Sequence, residues 1–385
     1  MSVILGRGTH QPRVGWFELF YDLIIVAAVY YFGHSLIKDP TWSMSLWIAV
    51  TAAITFVLWL LTSLSLNVFP ADDQRRRLLI LVQMIALVLA ALSSGNEKGL
   101  SNTTGMVALA VAFASISGIY LFAARASGQS RTVARLLAGA CAGAALVLLV
   151  GALAATSSGW SVGSPAPWLL LAGVGIAAVT LFGPAMAMLT RSGGIDHEHL
   201  TERLGQLVII VLGESFVSLV GALSDAAVIP NPVYLVLTFL VVYAIWAIYF
   251  SSVVPAGMPH TVGRLRAWVL VHLLLLSGAI SAAAGFAALA STEVGTADPG
   301  AKEWTALPLL TVLLAVTVLT WLAPERPERL ITLHLAACGV LLVLVLTGVF
   351  VTDGGTNWEV AVGSIVVMAD AILANRIARP YAVSR

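Results

Sequence analysis

The stretch HLTERLGQLVIIVLGES, residues 199–215, decides how the rest of the chain is interpreted. It predicts a helix that begins with polar and charged residues and continues with apolar ones. Glu214 lies twelve residues beyond Glu202, or roughly 18 Å along a helix axis at about 1.5 Å per residue. That depth is just past the middle of a hydrocarbon core about 30 Å thick. Because an ionised side chain is costly there, Glu214 is a candidate functional group whose partner must be sought.

The composition is that of an integral membrane protein. Hydrophobic residues make up 59% of the chain and charged residues only 10%, and the mean hydropathy is +0.96. A soluble domain carries about 25% charged residues. The long apolar runs lack a period-2 alternation, which predicts helices and not barrel strands. A net charge of +1 argues against nucleic acid as a partner, so the expected partners are the lipid bilayer and an unidentified small solute or ion.

No metal or cofactor site is predicted. Cys141 and Cys338 each lie inside an apolar run, and their spacing does not resemble a set of metal ligands. The cluster His197-Glu198-His199 is expected just before the helix that follows, and it lacks the H-E-x-x-H spacing of a helical zinc site. We therefore expect the two cysteines to pack as small hydrophobic side chains.

Windows of about 20 apolar residues predict twelve membrane-spanning helices. Turn-forming clusters such as Pro230-Asn231-Pro232 and Asp298-Pro299-Gly300 separate them. The expected fold is thus an all-α integral membrane protein. The predicted spans are 16–36, 42–66, 77–94, 104–124, 133–155, 168–189, 202–223, 232–253, 265–290, 305–323, 330–350 and 358–375.

The basic residues predict the orientation. The chain has 20 lysines and arginines, of which only Lys38, Lys98 and Lys302 are lysines. With twelve spans, every arginine falls with the two termini and the even-numbered loops, and the three lysines fall on the opposite side. Short loops rich in arginine stay in the cytoplasm. We therefore expect a multi-pass membrane protein with both termini cytoplasmic.

The two halves of the chain resemble each other. Glu18-x3-Asp22 aligns with Glu202-x3-Gln206 at an offset of 184, and a Pro-Ala pair at Pro70 matches Pro255 at an offset of 185. Six spans per half is an even number, so both repeats enter the membrane from the same side. The pattern predicts two parallel six-helix repeats, residues 1–190 and 191–385, with any central pathway between them.

Two motifs give the chain a family resemblance. Residues 18–23 read ELFYDL, and residues 199–203 read HLTER, followed by IIVLGES at 209–215. In this order and spacing they resemble the signatures of the bacterial low temperature requirement A family, although Leu204 stands where an aromatic residue is common. The resemblance implies a multi-span membrane protein linked to growth in the cold. It implies no catalytic residues, because the molecular activity of the family is not well defined.

The candidate pathway residues follow from both motifs. Glu18 and Asp22 are four residues apart and share one helix face, where they could hold a cation or receive arginines from the cytoplasmic loops. Glu202 and Gln206 occupy the matching positions of the second half, and Tyr30 stands where Glu214 stands. The remaining members of the candidate set, which Glu214 heads, are His199, Arg203 and His272.

His272 has two interpretations. It lies eight residues into the ninth span, or roughly 12 Å deep, and could pair with Glu214 or with Glu18 and Asp22. It could equally be a core histidine with satisfied hydrogen bonds. Other polar residues are weaker candidates. Gln83 could belong to the pathway, His334 is expected at the membrane–water interface, and Asp370 could form an ion pair with Arg376. Gly139-x3-Gly143 predicts a close contact between helices.

Four functional classes stay open at this stage. A secondary transporter or permease linked to proton or cation movement is favoured by the repeat and by the buried acids. A channel would show flux without coupling to a gradient. A membrane-embedded enzyme is weakened because no nucleophile–base set is evident. A structural membrane protein of cold or stress adaptation would use each buried acid for packing. The sequence leaves the oligomeric state open, including a homo-oligomer.

Overall fold

Twelve helices make up the part of the chain that the computed structural model describes, with no strand in it. The described residues are 15–38, 42–69, 73–93, 102–126, 130–157, 166–224, 231–292, 299–350 and 358–383. Lys98 and the arginines before residue 15 lie outside these ranges, as do the side chains of Lys38 and Lys302. The structure therefore does not test the expected segregation of charge.

The first six helices end at Ser192. Helix α6 contains a central π-helical segment, Leu181–Ala185, between Ala166–Thr180 and Met186–Ser192. The other five are α1 (Trp16–Lys38), α2 (Trp42–Val68), α3 (Gln74–Ser93), α4 (Thr103–Ala126) and α5 (Arg131–Ser157).

The second six helices begin at His197. Helix α8 also ends through a π-helical segment, because Pro232–Ile248 is followed by Tyr249–Val253 and by Val254–Ala256. The other five are α7 (His197–Leu223), α9 (Val262–Ala290), α10 (Pro299–Leu322), α11 (Glu328–Phe350) and α12 (Trp358–Val383).

Eleven helices, α2 to α12, contain described segments that are long and apolar enough to cross a membrane. Helix α1 has 23 residues and carries Glu18 in its first turn. The outer faces are apolar as well, since side chains such as Leu146, Leu153 and Val179 are exposed. An exposed apolar surface of this kind suits lipid and not water. The protein is thus a multi-pass α-helical membrane protein.

Helix α7 begins earlier than the sequence predicted. Its first residue is His197, and Asp196 caps it by accepting hydrogen bonds from the backbone N–H groups of Glu198 and His199. His197, Glu198 and His199 therefore lie on the helix, and the prediction that they precede it is wrong. An apolar-window count misses a polar first turn. Within the described residues, no group of three histidine, cysteine or acidic side chains could hold a metal ion.

The halves meet along α1, α7 and α9. Helix α1 packs against α7 and α9, and α2 also contacts both of them. Within the first half the neighbours are α1 with α2 and α3, then α3 with α4, α4 with α5 and α5 with α6. Within the second half they are α7 with α8 and α9, then α9 with α10, α10 with α11 and α11 with α12. In addition, α8 packs against α9 and α12, and α10 contacts α12. Trp59, Trp268 and Tyr21 are among the bulkiest side chains of the core, and all three are fully buried.

Candidate functional site

The two sequence motifs meet in a buried ion pair between the halves. Arg203 of α7 binds Asp22 of α1 with both ends of its guanidinium, at 2.8 Å from Nη1 to Oδ2 and 2.9 Å from Nη2 to Oδ1. Both residues are fully buried. Two parallel hydrogen bonds between planar charged groups are the strongest form of this pairing. The partner of Asp22 is thus a residue of the second motif, not one of the loop arginines.

Helix α2 completes the surroundings of this pair. The indole Nε1 of Trp59 donates to Oδ1 of Asp22 at 2.9 Å. The guanidinium of Arg203 lies 5.6 Å from the centre of the Trp59 ring, a distance at which the aromatic face attracts a cation. Ser63 accepts a weaker hydrogen bond from Nη2 of Arg203 at 3.3 Å. The ion pair is therefore held by three helices.

Glu18 and His199 extend the site one helical turn toward the helix ends. His199 Nε2 lies 3.0 Å from Oε2 of Glu18. The same oxygen is 3.6 Å from Nε of Arg203, which makes an ion pair but no hydrogen bond, because Nε has no hydrogen-bond partner. We call Glu18, Asp22, His199 and Arg203 the charge cluster.

Asn67 fixes the orientation of the His199 ring. Its Oδ1 accepts from the backbone N–H of Asp196 at 3.0 Å, and its Nδ2 donates to the carbonyl of Asp196 at 2.8 Å. The amide orientation is therefore set, and Nδ2 also donates to Nδ1 of His199 at 3.1 Å. The other ring nitrogen, Nε2, then donates to Glu18. The guanidinium of Arg76 on α3 also interacts electrostatically with Glu18, whereas the cation bound to Asp22 is Arg203.

Glu202 and Gln206 lie on the other face of α7. They line a cleft of about 680 Å³ between the first turns of α7, the end of α8 and the end of α10. Its carboxylates are Glu198, Glu202 and Glu325, and Phe250 forms part of its apolar wall. The first three turns of α7 therefore separate the charge cluster from this cleft.

Glu214 stands apart from the charge cluster along α7. It is 3% exposed, and Ser218, one turn later, donates a hydrogen bond to Oε1 at 2.8 Å. Its Oε2 atom is buried and has no hydrogen-bond partner. An ionised carboxylate with one buried oxygen that lacks a partner is costly, so this position calls for an explanation.

His272 is a core histidine with satisfied hydrogen bonds. Its Nδ1 lies 2.8 Å from the carbonyl oxygen of Trp268, and its Nε2 lies 3.0 Å from the hydroxyl of Tyr249. Of the two interpretations that the sequence left open, this is the second. The structure gives His272 no contact with Glu214, Glu18 or Asp22, so these residues do not line one central cavity.

The contact between the halves is dry at the level just beyond the charge cluster. Ile25, Trp59 and Val211 are among the residues around a space of only about 30 Å³, and the hydroxyl of Thr55, which also lines it, donates to the carbonyl oxygen of Thr51. A water molecule there would lack the two or more polar partners that a buried water needs. This apolar layer therefore closes the interface between the halves.

Two further predictions about polar residues need correction. His334 is fully buried and not interfacial; its Nδ1 lies 2.8 Å from Oδ2 of Asp370 and its Nε2 3.1 Å from Oγ of Ser252. Asp370 thus pairs with His334 and not with Arg376, which is exposed. No sequence spacing links these residues, because they lie on α8, α11 and α12. Gln83 is also a core residue, hydrogen-bonded to Tyr21 and Thr62 at 3.0 and 2.9 Å.

Fold and site together define a polytopic membrane protein whose halves are joined by a buried charge cluster. The family model of the bacterial low temperature requirement A protein (LtrA) matches residues 13–369. The chain therefore belongs to the LtrA family. No curated protein matches the chain. The ELFYDL and HLTER motifs are the segments that supply Glu18, Asp22, His199 and Arg203 to the charge cluster.

Proposed function

We propose that the protein is a permease that moves protons or another small cation across a bacterial plasma membrane. The observation that carries the proposal is the fully buried ion pair of Asp22 with Arg203, which joins the two halves inside the membrane domain. Buried ion pairs contribute little net stability, because desolvation offsets their attraction. At a contact between two parts of a transporter that separate during transport, however, such an ion pair can break and form again. We call the pair of Asp22 and Arg203 in this role the latch.

The packing order of the helices supports two parallel repeats. The contacts of α1 with α2 and α3, of α3 with α4, of α4 with α5 and of α5 with α6 all have counterparts within α7 to α12 at the same positions in the order. This correspondence supports the division into residues 1–190 and 191–385. Six helices per half and the segregation of the arginines support two cytoplasmic termini. On that orientation, the cleft beside Glu202 and Gln206 opens to the cytoplasm.

Glu214 is the group that we propose takes up the transported proton or cation. It lies on α7, beyond the apolar layer that separates it from the charge cluster. The layer would be the closed gate of this conformation, with the charge cluster on one side and Glu214 on the other. Opening the latch would let α7 move against α1 and would expose Glu214 to one side at a time.

The same apolar layer favours a second candidate, a structural role. If the halves never separate, the layer is ordinary core, and the charge cluster fixes the position of α7 against α1 and α2. A protein of this kind would conduct nothing. Glu214 would then be a neutral acid that bonds Ser218.

Proton flux into proteoliposomes that contain a pH-sensitive dye distinguishes the two candidates. We expect wild-type protein to pass protons down an imposed gradient and Glu214→Gln to abolish this flux, because the amide cannot exchange a proton. Glu328→Gln, which changes an exposed acid at the start of α11, is the matched control and should conduct like wild type.

Two outcomes of this experiment would contradict the proposal. Wild-type protein that carries no current under proton, sodium or potassium gradients of either polarity supports the structural role. Flux that is unchanged in a folded Glu214→Gln variant removes Glu214 from the pathway. Folding of each variant is checked by gel filtration and circular dichroism before reconstitution.

A further inference from the structure

The π-helical end of α8 is held by two histidines on two different helices. The hydroxyl of Tyr249 lies 3.0 Å from Nε2 of His272 on α9. The hydroxyl of Ser252 lies 3.1 Å from Nε2 of His334 on α11. Both hydroxyls belong to the segment Tyr249–Val253. Single π-helical turns within α-helices occur frequently at functional sites.

The two histidines differ in the partner of the other ring nitrogen. Nδ1 of His272 lies 2.8 Å from a backbone carbonyl, that of Trp268. Nδ1 of His334 lies 2.8 Å from a carboxylate oxygen, Oδ2 of Asp370. Carbonyl and carboxylate oxygens only accept, so each Nδ1 carries a hydrogen. In a neutral ring each Nε2 then accepts from the hydroxyl on α8.

This difference decides which histidine can become a cation. A second proton on His272 would bury a positive charge beside a neutral carbonyl, which costs several kcal/mol. A second proton on His334 would lie beside the negative charge of Asp370, which balances it. Of the two histidines, only His334 has a carboxylate beside it that balances the charge of a second proton.

The site of His334 also lacks positive charge. Asp370 is 2% exposed, and its Oδ1 atom has no hydrogen-bond partner. Among the described residues, the groups near His334 are Ser252 from α8, Asp370 from α12, and Cys338 one turn along α11, whose sulfur contacts Thr317 of α10. None of these is a cation. With a neutral His334, the site therefore buries one uncompensated negative charge, which is unfavourable.

We propose that Ser252, His334 and Asp370 form a buried proton-binding site. The incoming proton bonds to the free electron pair of His334 Nε2. The hydroxyl hydrogen of Ser252 turns away, and Oγ of Ser252 then accepts from Nε2–H. Asp370 stays ionised and balances the imidazolium, so the net charge of the site changes from one negative charge to zero.

The proton would act on the wall of the cleft. Phe250 and Val254, which flank Ser252 in the chain, line the cleft beside Glu202. Reversing the hydrogen bond at Ser252 therefore changes how the segment that carries this wall is held. The site is separate from Glu214 and the charge cluster, and it can bind a proton whether or not the protein conducts.

Equilibrium proton binding tests the site directly. Full-length protein in detergent is titrated from pH 8 to pH 4.5 against wild-type, His334→Gln and His272→Gln samples. We expect wild type to take up about one proton more than His334→Gln between these pH values, because glutamine offers no free electron pair in place of Nε2. His272→Gln is the matched control, and its curve should coincide with that of wild type.

The proposal would be overturned if wild type and His334→Gln bound the same number of protons. It would also be overturned if His272→Gln lost as many bound protons as His334→Gln. If His334→Gln does not stay folded, Asp370→Asn replaces it. That substitution keeps the shape but removes the balancing charge, so the affinity of the site for the proton should fall tenfold or more. An unchanged affinity refutes the proposal. Because the titration needs no flux, its outcome is independent of the transport experiment.

Discussion

The charge cluster predicts an asymmetry between Asp22 and Arg203. Arg203→Met removes the guanidinium that binds Asp22 and leaves this fully buried carboxylate without its cation. Asp22→Asn removes one of two carboxylates and leaves Arg203 with Glu18, whose Oε2 lies 3.6 Å from Nε. The first change therefore leaves a buried charge without its partner, and the second leaves an ion pair in place.

The magnitudes follow from the contacts that each substitution breaks. Loss of one partner of a buried ion pair costs about 3–5 kcal/mol when the other charge is left unpaired. Arg203→Met meets this condition and also loses the stacking on Trp59, worth about 0.5–2 kcal/mol. The asparagine of Asp22→Asn still accepts from Trp59 Nε1. It loses charge-assisted hydrogen bonds worth about 1.5–3 kcal/mol, so it should cost less than Arg203→Met.

The double variant provides the sharper measurement. Asp22→Leu combined with Arg203→Met removes both charges of the pair, and an apolar replacement of a buried pair is often neutral or stabilising. We expect it to be at least about 2 kcal/mol more stable than the sum of the two single changes predicts, since residues in contact are not additive.

Unfolding by sodium dodecyl sulfate in mixed micelles gives the free energy of unfolding of each variant. Glu328→Gln serves as the exposed control and should stay within about 0.5 kcal/mol of wild type. Two results would refute the reasoning. One is an Arg203→Met variant no less stable than Asp22→Asn, which would show that Asp22 does not depend on Arg203 for its compensating charge. The other is a double variant whose change in the free energy of unfolding equals the sum of the two single changes.

Three further predictions concern contacts outside the ion pair. Gly278→Ala should lower the free energy of unfolding by about 1–3 kcal/mol, because its Cβ would lie 3.0 Å from Cγ2 of Val312 on α10; Gly139→Ala, with nothing within 4 Å, should be nearly neutral in the same assay. Gln83→Leu should cost about 1–3 kcal/mol in that assay, since Tyr21 and Thr62 each lose a buried hydrogen bond with the amide. Asn67→Leu should also cost about 1–3 kcal/mol in that assay, since the backbone N–H and carbonyl of Asp196 lose their hydrogen bonds with the amide.

Much of the helical framework could be predicted because hydropathy is a local property. The twelve predicted spans correspond to the twelve helices of the described chain, with shifts mainly at polar ends such as the first turn of α7. The shared face of Glu18 and Asp22 was equally predictable, since it depends only on the period of one helix. These signals need no knowledge of which helices are neighbours.

The partners of the polar residues could not be predicted for the opposite reason. Asp22 and Arg203 are 181 positions apart, as are Glu18 and His199, and only the packing of α1 on α7 brings them together. The glycine pattern at Gly139 and Gly143 fails similarly: a Cβ at Gly139 would meet nothing within 4 Å, and one at Gly143 only a methyl group at 3.9 Å. A small-residue motif permits a close contact but does not show which helix approaches.

Helix α7 explains why the candidate residues divide as they do. A helix places residues three or four apart on one face, so His199 and Arg203 face α1 while Glu198, Glu202 and Gln206 face the cleft. Any rotation or shift of α7 that opens the charge cluster must therefore also change the wall of the cleft and the position of Glu214 further along. A rigid helix with these three features on it couples them without a chain of intermediate contacts. The charge cluster, the wall of the cleft and Glu214 should accordingly change position together in Arg203→Met. Independent changes would show that α7 does not move as one body.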